Sequence, residues 1–86
     1  MRRITILEQD NIRVVRVESE KDNDIIPEHS HETDEIAYVQ KGSIKIDIEG
    51  RGEILLTEDN AVIIPKGARH RGLLSKDCIL IAVYHP

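Results

Sequence analysis

The strongest constraint on the fold of this chain is a regular alternation of apolar and charged side chains near its centre. In the segment Ile44–Glu49, isoleucine alternates with lysine, aspartate and glutamate. Successive side chains of a β-strand point to opposite faces, so this pattern predicts a strand with one buried and one solvated face. The chain contains no Phe or Trp and two Tyr. Its apolar residues are mostly Ile, Val and Leu, and the branched ones favour strands.

Apolar runs recur along the chain and are separated by turn signals, which is typical of an all-β sandwich or barrel. The predicted strands are Ile4–Leu7, Ile12–Val17, Glu35–Gln40, Ser43–Glu49, Glu53–Thr57, Ala61–Ile64, His70–Ser75 and Cys78–Tyr84. No stretch has the capped apolar stripe of a helix. We therefore predict one all-β domain over residues 1–86, a small antiparallel β-barrel or jelly roll.

The composition excludes several classes of function. The formal net charge is −4, and there is no basic face with stacking aromatics, so nucleic-acid binding is not expected. No apolar run is long enough for a membrane-spanning helix. The first residues lack the apolar core of a signal peptide, so a cytoplasmic location is expected. The single cysteine, Cys78, lies in an apolar run and is expected to be a buried, unreactive thiol.

The last predicted strand is apolar on both faces between Ile79 and Tyr84. A solvated outer face would not have this composition. Either another sheet layer covers this strand, or its outer side contacts a second subunit. We therefore expect a homodimer.

Three of the four histidines lie in two separate segments. The first is His29-Ser30-His31, and on a strand the side chains at i and i+2 point to the same face. Glu35 follows four residues later, and this even spacing permits its carboxylate to reach the same side but does not require it. The neighbouring acidic residues are expected to be solvated charges: Glu28, Glu32 and Asp34.

The second segment is Pro65-Lys66-Gly67-Ala68-Arg69-His70. Its proline ends a strand, its glycine supplies a conformation that other residues resist, and His70 opens the next strand. If that strand lies opposite the first segment, His70 completes a set of three imidazoles and one carboxylate, which suits a borderline transition metal. The alternatives are three unrelated surface imidazoles or a polar pocket without metal.

The same residues carry a family resemblance. The spacing H-x-H-x3-E-x6-G, which begins at His29, resembles the first conserved motif of the cupins, and P-x-G-x2-H, which ends at His70, resembles the second. The resemblance implies a double-stranded β-helix barrel, often dimeric. It also implies one divalent ion of iron, manganese, zinc, nickel, cobalt or copper. The ligands implied by the motifs are His29, His31, Glu35 and His70.

This chain departs from the cupin motifs at three positions that are not ligands. Asn23 and Asp59 stand where each motif usually opens with glycine, and Leu74 replaces an asparagine that often ends the second motif. Asn and Asp tolerate a positive φ better than most residues, so both turns are expected to form.

A fold and a metal do not select a reaction. The first hypothesis is a metal-dependent enzyme that acts on a small polar or carboxylate substrate, because 86 residues leave little chain for a lid or a large pocket. The alternative is a non-catalytic ligand-binding or sensor module, and a structural or storage role ranks third. Tyr38 is the nearest candidate proton donor along the chain, but its parity is opposite to that of Glu35, which favours an outward, packed position.

Overall fold

The computed structural model describes residues 1–86 as strands joined by turns. The strands are β1 (Arg2–Gln9), β2 (Ile12–Glu18), β3 (Asp24–His29), β4 (Asp34–Lys41), β5 (Ile44–Ile48), β6 (Gly52–Leu56), β7 (Ala61–Ile64), β8 (His70–Leu74) and β9 (Ile79–His85). The all-β class is confirmed, and the eight predicted strands agree with observed ones to within a few residues at each end. Strand β3 is not predicted as a separate strand. No helix is long and apolar enough to span a membrane.

The strands pair antiparallel in two sheets. The five-stranded sheet has the order β1-β2-β9-β4-β7, and the four-stranded sheet has the order β3-β8-β5-β6. Hydrogen bonds do not join the two sheets into one closed barrel. The prediction is therefore confirmed at the level of an antiparallel, two-sheet fold, in which most neighbouring strands are far apart in sequence.

The core lies between the sheets and is almost entirely aliphatic. Ile44, Ile46 and Ile48 all face it, and each is at most 4% exposed. Lys45 and Asp47, which alternate with them, face outward. Burying one such isoleucine contributes about 1.5–3 kcal/mol relative to leaving it in water. The period of two therefore determines which face of β5 packs against the other sheet.

Strand β9 lies in the middle of the five-stranded sheet. Its residues Leu80, Ala82 and Tyr84 point into the core and are nearly fully buried. Ile81 and Val83 point the other way and are half-buried. No further layer of this chain covers that outer side, so the first of the two explanations for its apolar character does not apply.

Two of the turns form at the non-glycine positions of the motifs. Asn23 has φ 53° and Asp59 has φ 64°, so both occupy the left-handed region that glycine usually fills. The expectation that Asn and Asp would support these turns is confirmed. The side chain of Asp59 also accepts a hydrogen bond from the hydroxyl of Tyr38, and Tyr38 faces away from the core as its parity predicts.

Candidate metal centre

His29 and His70 lie side by side in the four-stranded sheet. His29 ends β3, His70 opens β8, and the two are cross-strand partners. Their ring centroids are 4.2 Å apart. His70 is only 4% exposed. The prediction that the strand opened by His70 lies opposite the first histidine segment is confirmed.

His31 reaches the same place by a different route from the one that strand geometry predicts. Strand β3 ends at His29, and His31 lies in the connection to β4. Its ring is nevertheless 4.6 Å from that of His29 and 5.3 Å from that of His70, measured between centroids. The amide of Gly67 donates a hydrogen bond of 2.8 Å to the carbonyl of His31, so the second motif holds the backbone of the first.

The turn that precedes β8 is tied to the start of β4. The Ala68 amide donates to the Pro65 carbonyl at 3.1 Å, and Gly67 has φ 81°, which matches a type II turn. The Lys66 amide donates to Oδ1 of Asp34 at 2.8 Å. Asp34 is partly exposed, as a solvated charge would be, but its carboxylate also accepts a hydrogen bond from the turn.

Glu35 comes from the opposite sheet. It is the second residue of β4 and is 5% exposed. Its Oε1 atom lies 3.3 Å from Nε2 of His31 and 3.5 Å from Nε2 of His70. The structure thus brings Glu35 beside two of the three imidazoles, and the cluster joins the two sheets at one end of the core.

The polar atoms in this cluster fit a metal ion. The ligand atoms of His29, His31 and His70 lie within 4.8 Å of one another. The Nε2 atoms of His31 and His70 and Oε1 of Glu35 are buried and have no hydrogen-bond partner. Buried polar atoms without partners are costly and rare in folded proteins. Three of them converging on one point indicate that a further group belongs there.

Two backbone carbonyls fix the orientation of the imidazoles. Nδ1 of His29 lies 2.7 Å from the carbonyl of Pro27, and Nδ1 of His70 lies 3.0 Å from that of Ala68. A carbonyl oxygen only accepts, so each Nδ1 carries the hydrogen and each neutral ring directs the lone pair of Nε2 inward. This arrangement is the usual support of a metal-binding histidine.

The protein shifts the pKa values of two of these histidines in opposite directions. Burial lowers the pKa of His31 and prevails over the opposing effect of the Glu35 carboxylate. Burial also acts to lower the pKa of His70, but the Glu35 carboxylate and the Ala68 carbonyl outweigh it, so that this pKa is raised. In the metal-free protein, His70 therefore keeps a proton more readily than His31.

Tyr84 belongs to the same site although sequence reasoning did not identify it. It is the cross-strand partner of Glu35, is 7% exposed, and its ring meets that of His31 edge-on at 4.7 Å. Burial raises the pKa of its phenol. Its parity with Leu80 and Ala82 on β9 was the available signal, but the pairing with Glu35 is a long-range contact that the sequence alone does not reveal.

The space beside these side chains is small. A cavity of about 20 Å³ is lined by His29, Glu35, His70 and Tyr84 together with core aliphatics. This is roughly the room that one water molecule needs. The interior of the fold therefore has space for an ion and its immediate ligands, and a larger molecule can approach only from the open end.

A comparison with protein families gives the chain its family. A family model described as a cupin domain matches residues 15–84, which is most of the chain. This chain belongs to the cupin family. The matched segment includes the three clustered histidines and Glu35. No curated protein sequence gives a significant match.

Solved structures with the same fold support the assignment. KdgF from Halomonas sp. is 23% identical over 98% of this cupin and 76% of its own chain, with a TM-score of 0.87. An RmlC-like cupin from Shewanella frigidimarina NCIMB 400 is 20% identical, with coverage of 98% and 74% and a TM-score of 0.87. A putative mannose-6-phosphate isomerase from Ralstonia eutropha JMP134 is 22% identical, with coverage of 98% and 82% and a TM-score of 0.85. At these identities the similarity establishes the fold alone.

Proposed function

We propose that this cupin binds one divalent transition-metal ion through His29, His31, His70 and Glu35, and that the ion binds a small ligand at the open end of the fold. The observation that carries the proposal is the convergence of three buried polar atoms without partners on one point. Imidazole nitrogens with one carboxylate suit iron, manganese, zinc, nickel, cobalt or copper.

Each side chain has a separate task in this proposal. His29 and His70 offer Nε2 atoms whose direction is fixed by carbonyl groups behind them. His31 and Glu35 approach from the β3–β4 connection and the opposite sheet. A bound ion would supply a Lewis acid that polarises a ligand oxygen or acidifies a water molecule. Tyr84 keeps its proton at neutral pH and offers a hydrogen-bond donor beside the ligand.

Two roles are compatible with such a site. In a metal-dependent enzyme, Tyr84 or Glu35 would exchange a proton with the bound ligand. In a ligand-binding or sensor module, the same groups would only hold it. The narrow interior and the scarcity of further acid–base side chains favour a ligand-binding or sensor module. The buried ligand atoms without hydrogen-bond partners favour a metal-dependent enzyme. Turnover of a bound small acid by the metal-loaded protein, followed by mass spectrometry, separates the two roles.

Elemental analysis of the purified protein tests the metal site directly. We expect about one transition-metal ion per chain in the wild type and in His85→Ala, a control histidine outside the cluster. We expect His29→Ala and His70→Ala to lose the ion, because each removes a neutral donor that the other ligands cannot replace. Circular dichroism checks that the variants remain folded. Equal metal content in all four proteins, or none in the wild type, contradicts the proposal.

A further inference from the structure

The arginines of this cupin differ in whether they have an acidic partner. Four of them lie within 4.0 Å of a carboxylate: Arg2, Arg16, Arg69 and Arg71. Arg51 donates a hydrogen bond to the carbonyl of Ile63 at 3.2 Å. Arg3 and Arg13 have no carboxylate neighbour, and Arg3 interacts with the hydroxyl of Tyr84. Guanidinium groups carry their charge at any physiological pH. Arg3 and Arg13 are therefore positive charges without a neighbouring carboxylate, on a chain whose net charge is −4.

Both unpaired arginines point to the entrance of the metal centre. They line a groove of about 340 Å³ together with His29, His31 and Tyr84. Arg13 is the cross-strand partner of Tyr84, and its guanidinium carbon lies 4.9 Å from the centroid of the Tyr84 ring. Arg3 also lines the small inner cavity. Arg3 lies on β1 and Arg13 lies on β2, and β2 pairs with β9, the strand that carries Tyr84.

The surrounding carboxylates do not neutralise this entrance. Glu28, the acidic residue in the groove, lies 2.9 Å from Arg69. Glu35 lies deeper, between His31 and His70. Arg13 also lines a second groove, which contains the acidic residues Glu8, Asp10 and Glu32. In the groove that Arg3 and Arg13 share, Glu28 is the only acidic lining residue, so positive charge prevails on that side.

We propose that Arg3 and Arg13 form an anion subsite that binds a carboxylate group of the ligand, and that a second oxygen of the same small acid faces the histidine cluster. This inference rests on the proposed function for the second contact only. Guanidinium groups match carboxylates in charge and geometry and bind them through paired hydrogen bonds. The cation–π contact with Tyr84 holds Arg13 over the entrance before the ligand arrives.

Calorimetric titration with malonate tests the subsite, with uncharged malonamide and inorganic phosphate as further probes. We expect malonate to bind the wild type and to bind Arg3→Gln and Arg13→Gln at least about tenfold more weakly, because each variant loses charge-assisted hydrogen bonds. Malonamide should not bind measurably. Arg2→Gln and Arg16→Gln are matched controls, since they remove the same charge from the same strands on the outer face and should bind as the wild type does.

Several results would overturn the subsite. Equal malonate affinity in all five proteins would do so, as would equal losses in the Arg2 and Arg16 controls, which would indicate only a general effect of charge. Tighter binding of phosphate than of malonate, lost in the same two variants, would contradict the assignment to a carboxylate. The metal content of each sample separates this proposal from the previous one. If the wild type holds no metal, the metal site fails, while selective loss of malonate binding in Arg3→Gln and Arg13→Gln still supports the subsite.

Discussion

Glu35 occupies the position in which one charge acts on two imidazoles at once. Its Oε1 atom is 3.3 Å from His31 and 3.5 Å from His70, yet the pKa of the first ring is lowered and that of the second is raised. The difference arises because burial prevails over Glu35 at His31, whereas at His70 the hydrogen bond to Glu35 and the Ala68 carbonyl together outweigh burial. The carboxylate of Glu35 favours a proton on both rings, but burial keeps the pKa of His31 low and only His70 is left with a raised pKa.

Metal affinity should fall on acidification, and His70 should determine where the fall begins. A ligand imidazole must be neutral, so protons compete with the ion. Because the pKa of His70 is raised above its ordinary value of 6.5, this competition begins above that pH and is strong below about pH 6. Dialysis at pH 5 to 8 followed by elemental analysis measures it, and full occupancy at pH 5 contradicts the prediction. NMR titration of the metal-free protein should show a lower His70 pKa in Glu35→Gln than in the wild type, because the variant loses the carboxylate that raises it.

The residues of the site differ in how far the sequence predicts them. The three histidines and Glu35 are marked by fixed spacings in two short motifs. Tyr84 and Asp34 are not, because their roles depend on long-range contacts, with Glu35 in the first case and with the Lys66 amide in the second. The local sequence does not show which strands become neighbours in the sheet. For the same reason, nothing in the sequence distinguishes Arg3 and Arg13 from the paired arginines.

At the scale of elements, the turn before β8 connects the two motifs. Its Gly67 has φ 81° and donates its amide to the carbonyl of His31. The alternation of side chains predicts β5 well, because its five residues show a clear period of two. Strand β7 is apolar throughout and is predicted instead from the proline that ends it. The end of β3 is harder to predict. Pro27 cannot donate to the ladder, and an irregularity between Ile26 and His29 changes the register.

A comparison of Gly67→Ala with Gly50→Ala distinguishes the contribution of a turn to protein stability from its contribution to the metal centre. Both glycines have a positive φ, 81° and 82°, and neither has an atom within 4 Å of an added Cβ. Each substitution should therefore lower the free energy of unfolding by about 1–2 kcal/mol, the usual cost of a left-handed alanine.

Only Gly67→Ala should also lower metal affinity, because its turn holds His31 and leads into His70, whereas Gly50 lies in the β5–β6 hairpin. Urea unfolding and metal titration measure the two effects. Equal metal affinity in both variants would show that the turn does not position the ligands.

At the scale of the whole molecule, the outer face of the five-stranded sheet has an apolar row across all of its strands. The row follows the strand register from edge to edge: Leu7, Val14, Val83, Ile36 and Ile63. Ile63 is 58% exposed and Leu7 is 44% exposed. Continuous apolar surface of this kind usually marks a contact between proteins. We expect a second copy of this chain to cover it, since like faces can pair about a two-fold axis.

Light scattering of Val83→Lys tests the dimer. The wild type should have about twice the 9.8 kDa of one chain, and the variant should shift towards one chain, because a buried unpaired lysine opposes association. Leu73→Lys is the matched control, since Leu73 lies on the outer face of the other sheet and is 40% exposed; it should not change the mass. A wild-type mass near 9.8 kDa at micromolar concentration contradicts the expectation.

The inner cavity of about 20 Å³ has a consequence for what this cupin can distinguish. A molecule that reaches the histidines must leave most of its length outside, in water. The protein would then recognise the terminal functional group of a ligand, and the size of the rest of the ligand would have little effect on its affinity. Selectivity among acids of different length would have to come from whatever lies beyond the entrance, such as the neighbouring grooves or a second protein.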